Sequence, residues 1–548
     1  MSTVNASSRP RRIKVLAAMS ALAAAAALSS CGSSSVSDAT QATGAASASV
    51  PAGLESFYSQ SVEWYPCKKE DGMTERSGDT GPGTMSCARV TVPLDYNNPG
   101  GETIQIAMKK RSASADSATG TLFINPGGPG GSGVDILPQV TTGMFSKDLI
   151  TAYDVIGFDP RGVGDSTAID CLTDAELDAE RSGTESTDLP DDATGDQKRA
   201  AVADETTKRE AKCEANTTPA ALLDHVDTVS AAKDLDILRA VTGNSALTYL
   251  GYSYGTYLGA TYADLFPGNV GRFVLDGAID PSISSSGQVA LDQAKGFESA
   301  LRAYVESCQS GSDCPLSGSV DDGMKQIQDF LTSLEANPIK TSDDNRPLTR
   351  SLAISGVMVP LYQSEAWPQL NVALSQAMGQ MTQDGKPDGS TLLYFADLSA
   401  QRGNDGTYQG NGNEAIGAIN CADFPAKGDA ASWDKEAAEI KEASPTFGDS
   451  LQYSDASCQA WGHPSGNERK AIHASGANPI LVIGTTGDPA TPYQWSQSLA
   501  DQLDSGQLLT WKGNGHTAYG RAGKCVTTAV DDYLLKGTMP AEGLTCED

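Results

Sequence analysis

Residues 246–265 read ALTYLGYSYGTYLGATYADL. A short apolar run rich in β-formers leads into Gly251-Tyr252-Ser253-Tyr254-Gly255, the chain's single G-x-S-x-G, and a helix-like stretch follows. The pattern predicts a sharp strand-to-helix turn with Ser253 at its apex. Only small residues two positions to either side leave room for the strained backbone of such a turn. The turn would lift the hydroxyl out at the end of a sheet, where the N-terminus of the following helix favours developing negative charge.

Outward from this turn, strand candidates fall at 88–96, 103–110, 121–125, 153–159, 246–250, 271–276, 479–484 and 507–511. From the third onward they are mainly continuous apolar runs, as expected of strands buried on both faces of a parallel sheet. Helices fit between them: a run with Thr228 as N-cap that ends at 238–241, Tyr254 to Leu265 stopped by Pro267, and Tyr493 to Leu503. This alternation predicts an open α/β sheet whose ligands collect beyond the C-terminal ends of the strands. Between Asp280 and about Ala477 the alternation stops, and mostly helical, polar-patterned sequence intervenes. The expected organisation is a core in two parts, 56–280 and 478–548, with a helical lid at 281–477 inserted between strands. A smaller, very acidic stretch at about 167–223 reads as a surface excursion that a Cys171 to Cys213 bridge could bound.

The first thirty residues read as an export signal. Arg9, Arg11, Arg12 and Lys14 precede an alanine-dominated apolar stretch, Val15 to Leu28, that is short for a membrane span. Leu28-Ser29-Ser30-Cys31 resembles a bacterial lipobox, which implies cleavage before Cys31 and lipidation of its thiol. The chain would then sit at the outer face of the cytoplasmic membrane, held there only by the lipid; cleavage to a secreted form is the alternative. Residues 31–55, rich in Ser, Ala, Gly and Thr, read as a flexible tether. Removing the four basic residues of the signal leaves 35 basic against 69 acidic residues, a formal charge of −34. Such a surface repels nucleic acid and anionic head groups.

Of eleven cysteines, ten remain after Cys31. An even number in an exported chain argues for disulfides. Pairing of neighbours would close five local loops, Cys308 with Cys314 most readily, although sequence alone leaves the connectivity open. Four histidines and no C-x-x-C or H-E-x-x-H spacing predict no zinc site.

A serine nucleophile needs a base within hydrogen-bond reach and a third group to orient that base. His516, in Gly513-Asn-Gly-His-Thr517, follows the last strand candidate, and Asp488 follows the strand PILVIG. The order Ser253, Asp488, His516 is that of the α/β-hydrolases. Asp276, at the end of the strand after the Ser253 helix, is a rival acid. His463 and His473 read as surface residues, and His225 lies just before a helix. The loop Asn125-Pro-Gly-Gly-Pro-Gly-Gly-Ser-Gly133 is poor enough in side chains for its N–H groups to approach a substrate. Gly128 in this loop and Tyr254 are the expected oxyanion donors. A phosphate-cradling loop is disfavoured because no G-x-x-x-x-G-K-[ST] occurs.

Taken together, NPGGPGGSG, FDPRGVGDS (158–166), GYSYGTYLG (251–259), VLDGAIDP (274–281), TTGDPATP and GNGHTAYG resemble the secreted tripeptidyl aminopeptidase-like family of α/β-hydrolases, relatives of the proline iminopeptidases. The resemblance covers about 60–548. It implies an α/β-hydrolase fold and a monomeric, cofactor-free serine peptidase that cleaves short peptides from a free N-terminus. Such an enzyme must pair the substrate's α-ammonium with a carboxylate. Glu414 and Asp423, in GNEAIGAINCADFP, are the candidates in the lid, and a Cys421 to Cys458 bridge would pin that segment. A carboxylesterase or lipase would use the same three catalytic residues, and a binding lipoprotein on a hydrolase scaffold is the non-catalytic alternative. Epoxide hydrolase chemistry is disfavoured because the turn carries Ser rather than Asp.

Overall fold

In the computed structural model nine strands form one sheet in the order β1-β2-β4-β3-β5-β6-β7-β8-β9. Placement is described for residues 50–67, 83–115, 117–183, 189, 192–381 and 385–547; residues 1–30, Cys31 and most of the 31–55 stretch lie outside these. The strands are β1 (Met85–Pro93), β2 (Thr103–Arg111), β3 (Gly120–Asn125), β4 (Tyr153–Phe158), β5 (Leu247–Tyr252), β6 (Val270–Asp276), β7 (Ile480–Gly487), β8 (Gly506–Asn514) and β9 (Thr545–Cys546). β2 runs antiparallel to β1 and β4, and every pair from β4 to β9 is parallel.

The continuous apolar runs are explained by cover on both faces. Along β3, Phe123 packs with Phe158, Tyr249 and Phe273 on one side of the sheet. Its neighbours Leu122 and Ile124 pack with Val155, Leu250, Val274 and Ile483 on the other. Successive strand residues point to opposite faces, so a doubly covered strand is apolar at every position. The helix Tyr254–Leu265 is buried from Tyr254 to Ala263.

Between β6 and β7 the chain is helical, from Ser286–Ser310 through Arg350–Leu361 and Gly412–Asp423 to Ser454–Trp461. It carries an apolar core of its own around Phe297, Leu301, Leu331, Leu352, Leu370 and Phe447. The five disulfides join sequence neighbours: Cys67–Cys87, Cys171–Cys213, Cys308–Cys314, Cys421–Cys458 and Cys525–Cys546.

One local expectation is corrected, and the structure adds elements that the sequence did not show. The N-cap of the helix Thr228–Val241 is Asp227, whose carboxylate accepts the Ser230 N–H, rather than Thr228. The acidic excursion contains two ordered helices, Asp174–Ser182 and Gly195–Asn216, each opened by a threonine capping box. The two-residue β9 has no counterpart in the sequence reading. No helix among the described residues is long and apolar enough to cross a membrane.

Candidate active site

Ser253 joins β5 to its helix with φ 54° and ψ −124°, a positive-φ conformation that costs a residue bearing a Cβ on the order of 1–3 kcal/mol. The flanking glycines make this turn possible. A Cβ on Gly251 would sit 2.3 Å from the Gly255 carbonyl oxygen, and one on Gly255 would sit 2.8 Å from the Asn125 carbonyl oxygen. The Ser253 N–H donates to the Asp276 carbonyl at 2.9 Å, which ties the turn to the end of β6. Tyr254 is the first residue of the helix, so its N–H has no carbonyl within the helix to bond.

The glycine loop after β3 lies against this turn. A Cβ on Gly127 would fall 2.5 Å from the Tyr252 carbonyl oxygen, 2.8 Å from Ser253 Cβ and 3.0 Å from the Tyr254 nitrogen. The Gly127 N–H is already donated to Asn125 Oδ1 at 2.9 Å, and Gly131 N–H donates to the Gly127 carbonyl at 3.0 Å. The Gly128 N–H has no hydrogen-bond partner among the described residues. Gly127 therefore packs on the turn that carries the Tyr254 N–H, and the next residue, Gly128, has an unused backbone donor.

Asp488 and His516 meet beyond the ends of β7 and β8. His516 Nδ1 lies 2.9 Å from both carboxylate oxygens of Asp488. The Asp488 side chain is wholly buried and also accepts the N–H groups of Ala490, Thr491 and Thr517 and the Thr491 hydroxyl. Thr491 Oγ1 lies 3.2 Å from His516 Nδ1, bracing the imidazole from the Asp488 turn. With Nδ1 turned to a carboxylate, the ring's Nε2 is the nitrogen left to accept a proton. The backbone of His516 is held from the helical segment: its N–H donates to the Tyr362 carbonyl at 2.8 Å, and the Tyr362 ring packs edge-on to the imidazole at 5.5 Å.

Asp276 does not touch the imidazole nitrogens. Its fully buried carboxylate accepts the N–H groups of Ala518 and Tyr519, just past His516. Of the two strand-end acids, Asp488 is thus the one hydrogen-bonded to the ring.

The two carboxylates proposed for an ammonium have other partners. Asp423 is buried, with Oδ1 accepting the Thr228 N–H at 2.8 Å and Oδ2 accepting the Thr228 hydroxyl at 2.6 Å. Thr228 Oγ1 is also bonded to the Tyr254 hydroxyl, so Asp423 braces the helix that starts at Ser253. Burial pushes Asp423 up to about 7. Glu414 Oε1 accepts the N–H groups of Cys171 and Leu172, docking the acidic excursion onto the helix Gly412–Asp423. Glu414 lines a cavity of 580 Å³ with Glu176, Arg209 and Trp461 that includes neither Ser253 nor His516. Neither side chain is placed as an open counter-charge for a ligand.

The remaining histidines sit apart. His473 is exposed, in line with the sequence reading. His463 is not a plain surface residue: its ring lies between Asp224 (2.7 Å) and Glu210 (3.1 Å). Although burial works against the charge, the two carboxylates hold this imidazole above its ordinary value. His225 contributes its carbonyl to Arg161. The FDPRG motif is explained by the same contacts. Arg161 is buried with Asp234, bonded to both of its oxygens at 2.7 Å, and Asp159 accepts the Ser132 hydroxyl and the N–H groups of Val134 and Asp165. Asp159 thereby anchors the end of the glycine loop to the end of β4, while Arg161 ties the end of β1 to Asp234 and the His225 carbonyl.

Thr491 and Tyr362 escaped the sequence reading. Thr491 lies three residues after Asp488 in a turn, where a hydroxyl returning to the carboxylate is a common local motif and a usable signal. Tyr362 reaches His516 only through tertiary contact, and nothing local marks it.

Comparison with known proteins identifies the chain's relatives. A family described as TAP-like protein matches residues 444–546. The serine protease Hip1 of Mycobacterium tuberculosis is 35% identical over 504 residues, covering 89% of this chain and 91% of that protein. Carboxylesterase B of the same species is 35% identical over 472 residues, covering 84% of this chain and 86% of that protein. Tripeptidyl aminopeptidase of Streptomyces lividans is 29% identical over 497 residues, covering 88% of this chain and 86% of that enzyme. With a strained serine turn, an imidazole-carboxylate pair and a glycine loop on one mostly parallel sheet, and with relatives aligned over nearly their whole length, the chain belongs to the tripeptidyl aminopeptidase-like family of α/β-hydrolases.

Proposed function

We propose that the chain is an exported serine exopeptidase that releases short peptides from the free N-terminus of its substrates. The observation that carries the chemistry is the Asp488-His516 pair beside the Ser253 turn, with both carboxylate oxygens 2.9 Å from Nδ1. In this reading His516 Nε2 takes the Ser253 proton as Oγ attacks the scissile carbonyl, and Asp488 stabilises the imidazolium. The N–H groups of Gly128 and Tyr254 receive the oxyanion. The departing amine takes its proton from His516, and water, activated by the same imidazole, then releases the acyl group from Ser253. No cofactor enters any step.

The choice of peptides over esters is supported by the names of two relatives, serine protease and tripeptidyl aminopeptidase. The helical segment between β6 and β7, proposed as a lid on a two-part core, limits how much chain enters. Export is supported by the five disulfides, which persist in oxidising compartments. A lipid on Cys31 is the proposed anchor, and the folded part is proposed to act as a monomer. The ammonium is not assigned to Asp423 or Glu414 in this reading, because both serve the fold. The relative named carboxylesterase B favours a second reading, an esterase using the same three residues.

The test pairs fluorogenic peptides with free or acetylated N-termini, alongside a short-chain nitrophenyl ester. Cleavage confined to free N-termini supports the exopeptidase; ester turnover with both peptide sets untouched transfers the chain to the esterases. Ser253→Ala should abolish labelling by a fluorophosphonate probe while leaving the fold intact, and retained labelling would remove Ser253 from the mechanism.

A further inference from the structure

Asp276 is the strand-end acid that the proposed mechanism does not use. Its backbone carbonyl accepts the Ser253 N–H at 2.9 Å. Its carboxylate accepts the Ala518 N–H at 3.0 Å on both oxygens and the Tyr519 N–H at 2.7 Å. One residue therefore grips the serine turn with its main chain and the histidine loop with its side chain. The next residue tightens this junction. Gly277, at φ +68°, donates its N–H to the Ile483 carbonyl on β7, and a Cβ there would lie 3.2 Å from His516 Cε1. No lysine or arginine neutralises the Asp276 carboxylate among the described residues; backbone dipoles hold its charge.

We infer that Asp276 is a positioning residue for the proposed reaction: its ionised carboxylate sets the distance between Ser253 and His516 by clamping the Ala518-Tyr519 backbone to the end of β6, where its own carbonyl holds the serine turn. The inference rests on the Ser253-Asp488-His516 reading. The clamp needs acceptors. A proton on Oδ1 would turn that oxygen into a donor facing the Ala518 N–H and leave Oδ2 as a weaker, uncharged acceptor for both amides, and the loop would loosen. The titratable groups facing Asp276 are Tyr252 from β5, Asp488 from the turn after β7 and His516 from the loop after β8. Burial pushes Asp276 up to about 7, Asp488 adds to that rise, and the Ala518 and Tyr519 N–H groups and His516 oppose it. The clamp is thus whole above neutrality and is released as pH falls through about 7.

The experiment compares wild type with Asp276→Asn, which keeps the volume but points an amide N–H₂ at a backbone donor. Because a hydrogen bond to a charged group is lost, kcat and the fluorophosphonate labelling rate should each fall by about 10- to 100-fold, with KM changed by less than about twofold. The pH profile separates positioning from general weakening. The acid limb of wild-type labelling should be steeper than that of Asp276→Asn by the one proton that Asp276 takes up. Wild-type kcat in the variant, a change carried by KM alone, or identical slopes would overturn the inference. Should the variant fail to fold, the wild type decides: a labelling rate that does not fall as pH drops through about 7 overturns it. Labelling retained by Ser253→Ala would overturn the underlying triad reading instead, whatever Asp276→Asn does.

Discussion

Two groups of carboxylates organise this molecule, and they are held by opposite means. At the ends of the central strands, Asp159 and Asp276 are buried against backbone N–H groups and hydroxyls. Where the acidic excursion meets the helical segment, Asp178 and Asp397 lie among Arg181, Arg346 and Arg402, with paired bonds at 2.7 Å from Arg402 to Asp178 and from Arg346 to Asp397. The consequence appears in their protonation. Burial pushes Asp159 and Asp276 each up to about 7, whereas at Asp178 the Arg402 fork and the Tyr408 hydroxyl outweigh burial and pull the carboxyl below its ordinary value. Neutral dipoles fix geometry without cancelling charge, which suits a reaction centre. Arginine forks cancel charge, which suits a joint.

If that contrast is right, the strand-end region is broken by subtle chemistry and the joint is not. Asp488→Asn keeps the shape but removes the charge beside His516 Nδ1 and permits the wrong tautomer, so kcat should drop by about 10⁴-fold with little change in thermal midpoint. A loss under about tenfold would show that the pair is structural. Gly127→Ala would place a methyl 2.8 Å from Ser253 Cβ and displace the loop that presents Gly128. The expected cost is about 10²- to 10³-fold in kcat, as for a lost oxyanion donor. A variant as fast as wild type would remove the loop from the mechanism.

The fold was legible because its signals are local. Continuous apolar runs, the G-x-S-x-G spacing and the chain order of Ser253, Asp488 and His516 can all be read without knowing what lies alongside. The carboxylates of the helical segment were not legible for the converse reason. Asp423 and Glu414 were chosen by charge, but their placement depends on Thr228 and on the Cys171-Leu172 backbone, roughly two hundred residues away in sequence. At Asp227-Thr228 two capping residues stand side by side, and only the backbone shows which one caps. β9 is too short for any periodicity, and the Cys525–Cys546 bridge adjoins it.

Smaller effects sharpen the comparison through solution conditions. The folded-state values of about 7 for Asp159, Asp276 and Asp423 lie above the roughly 4 of an unfolded aspartate. Between those limits the folded chain holds protons that the unfolded chain has released, so these groups favour folding at lower pH and lose that effect as pH rises toward 7. His463, also raised, acts with the same sign at its own higher window. Calorimetry between pH 5 and 8 should therefore show a melting temperature that declines with rising pH; a steady increase would contradict the burial of these carboxyls. The joint should respond to salt instead. Arg346→Ala is expected to cost about 1 kcal/mol at low ionic strength and less at high salt, with turnover unchanged. Loss of turnover would mean that the joint helps shape the site.

The helical segment between β6 and β7 also separates the reaction centre in time. A chain made from its N-terminus presents Ser253 early, whereas Asp488 and His516 follow only after that whole segment. Under the proposed mechanism, a chain halted anywhere before β8 carries a hydroxyl with no base to activate it. In that reading hydrolysis waits for β8 to join the sheet, so a chain halted earlier cannot cut its neighbours.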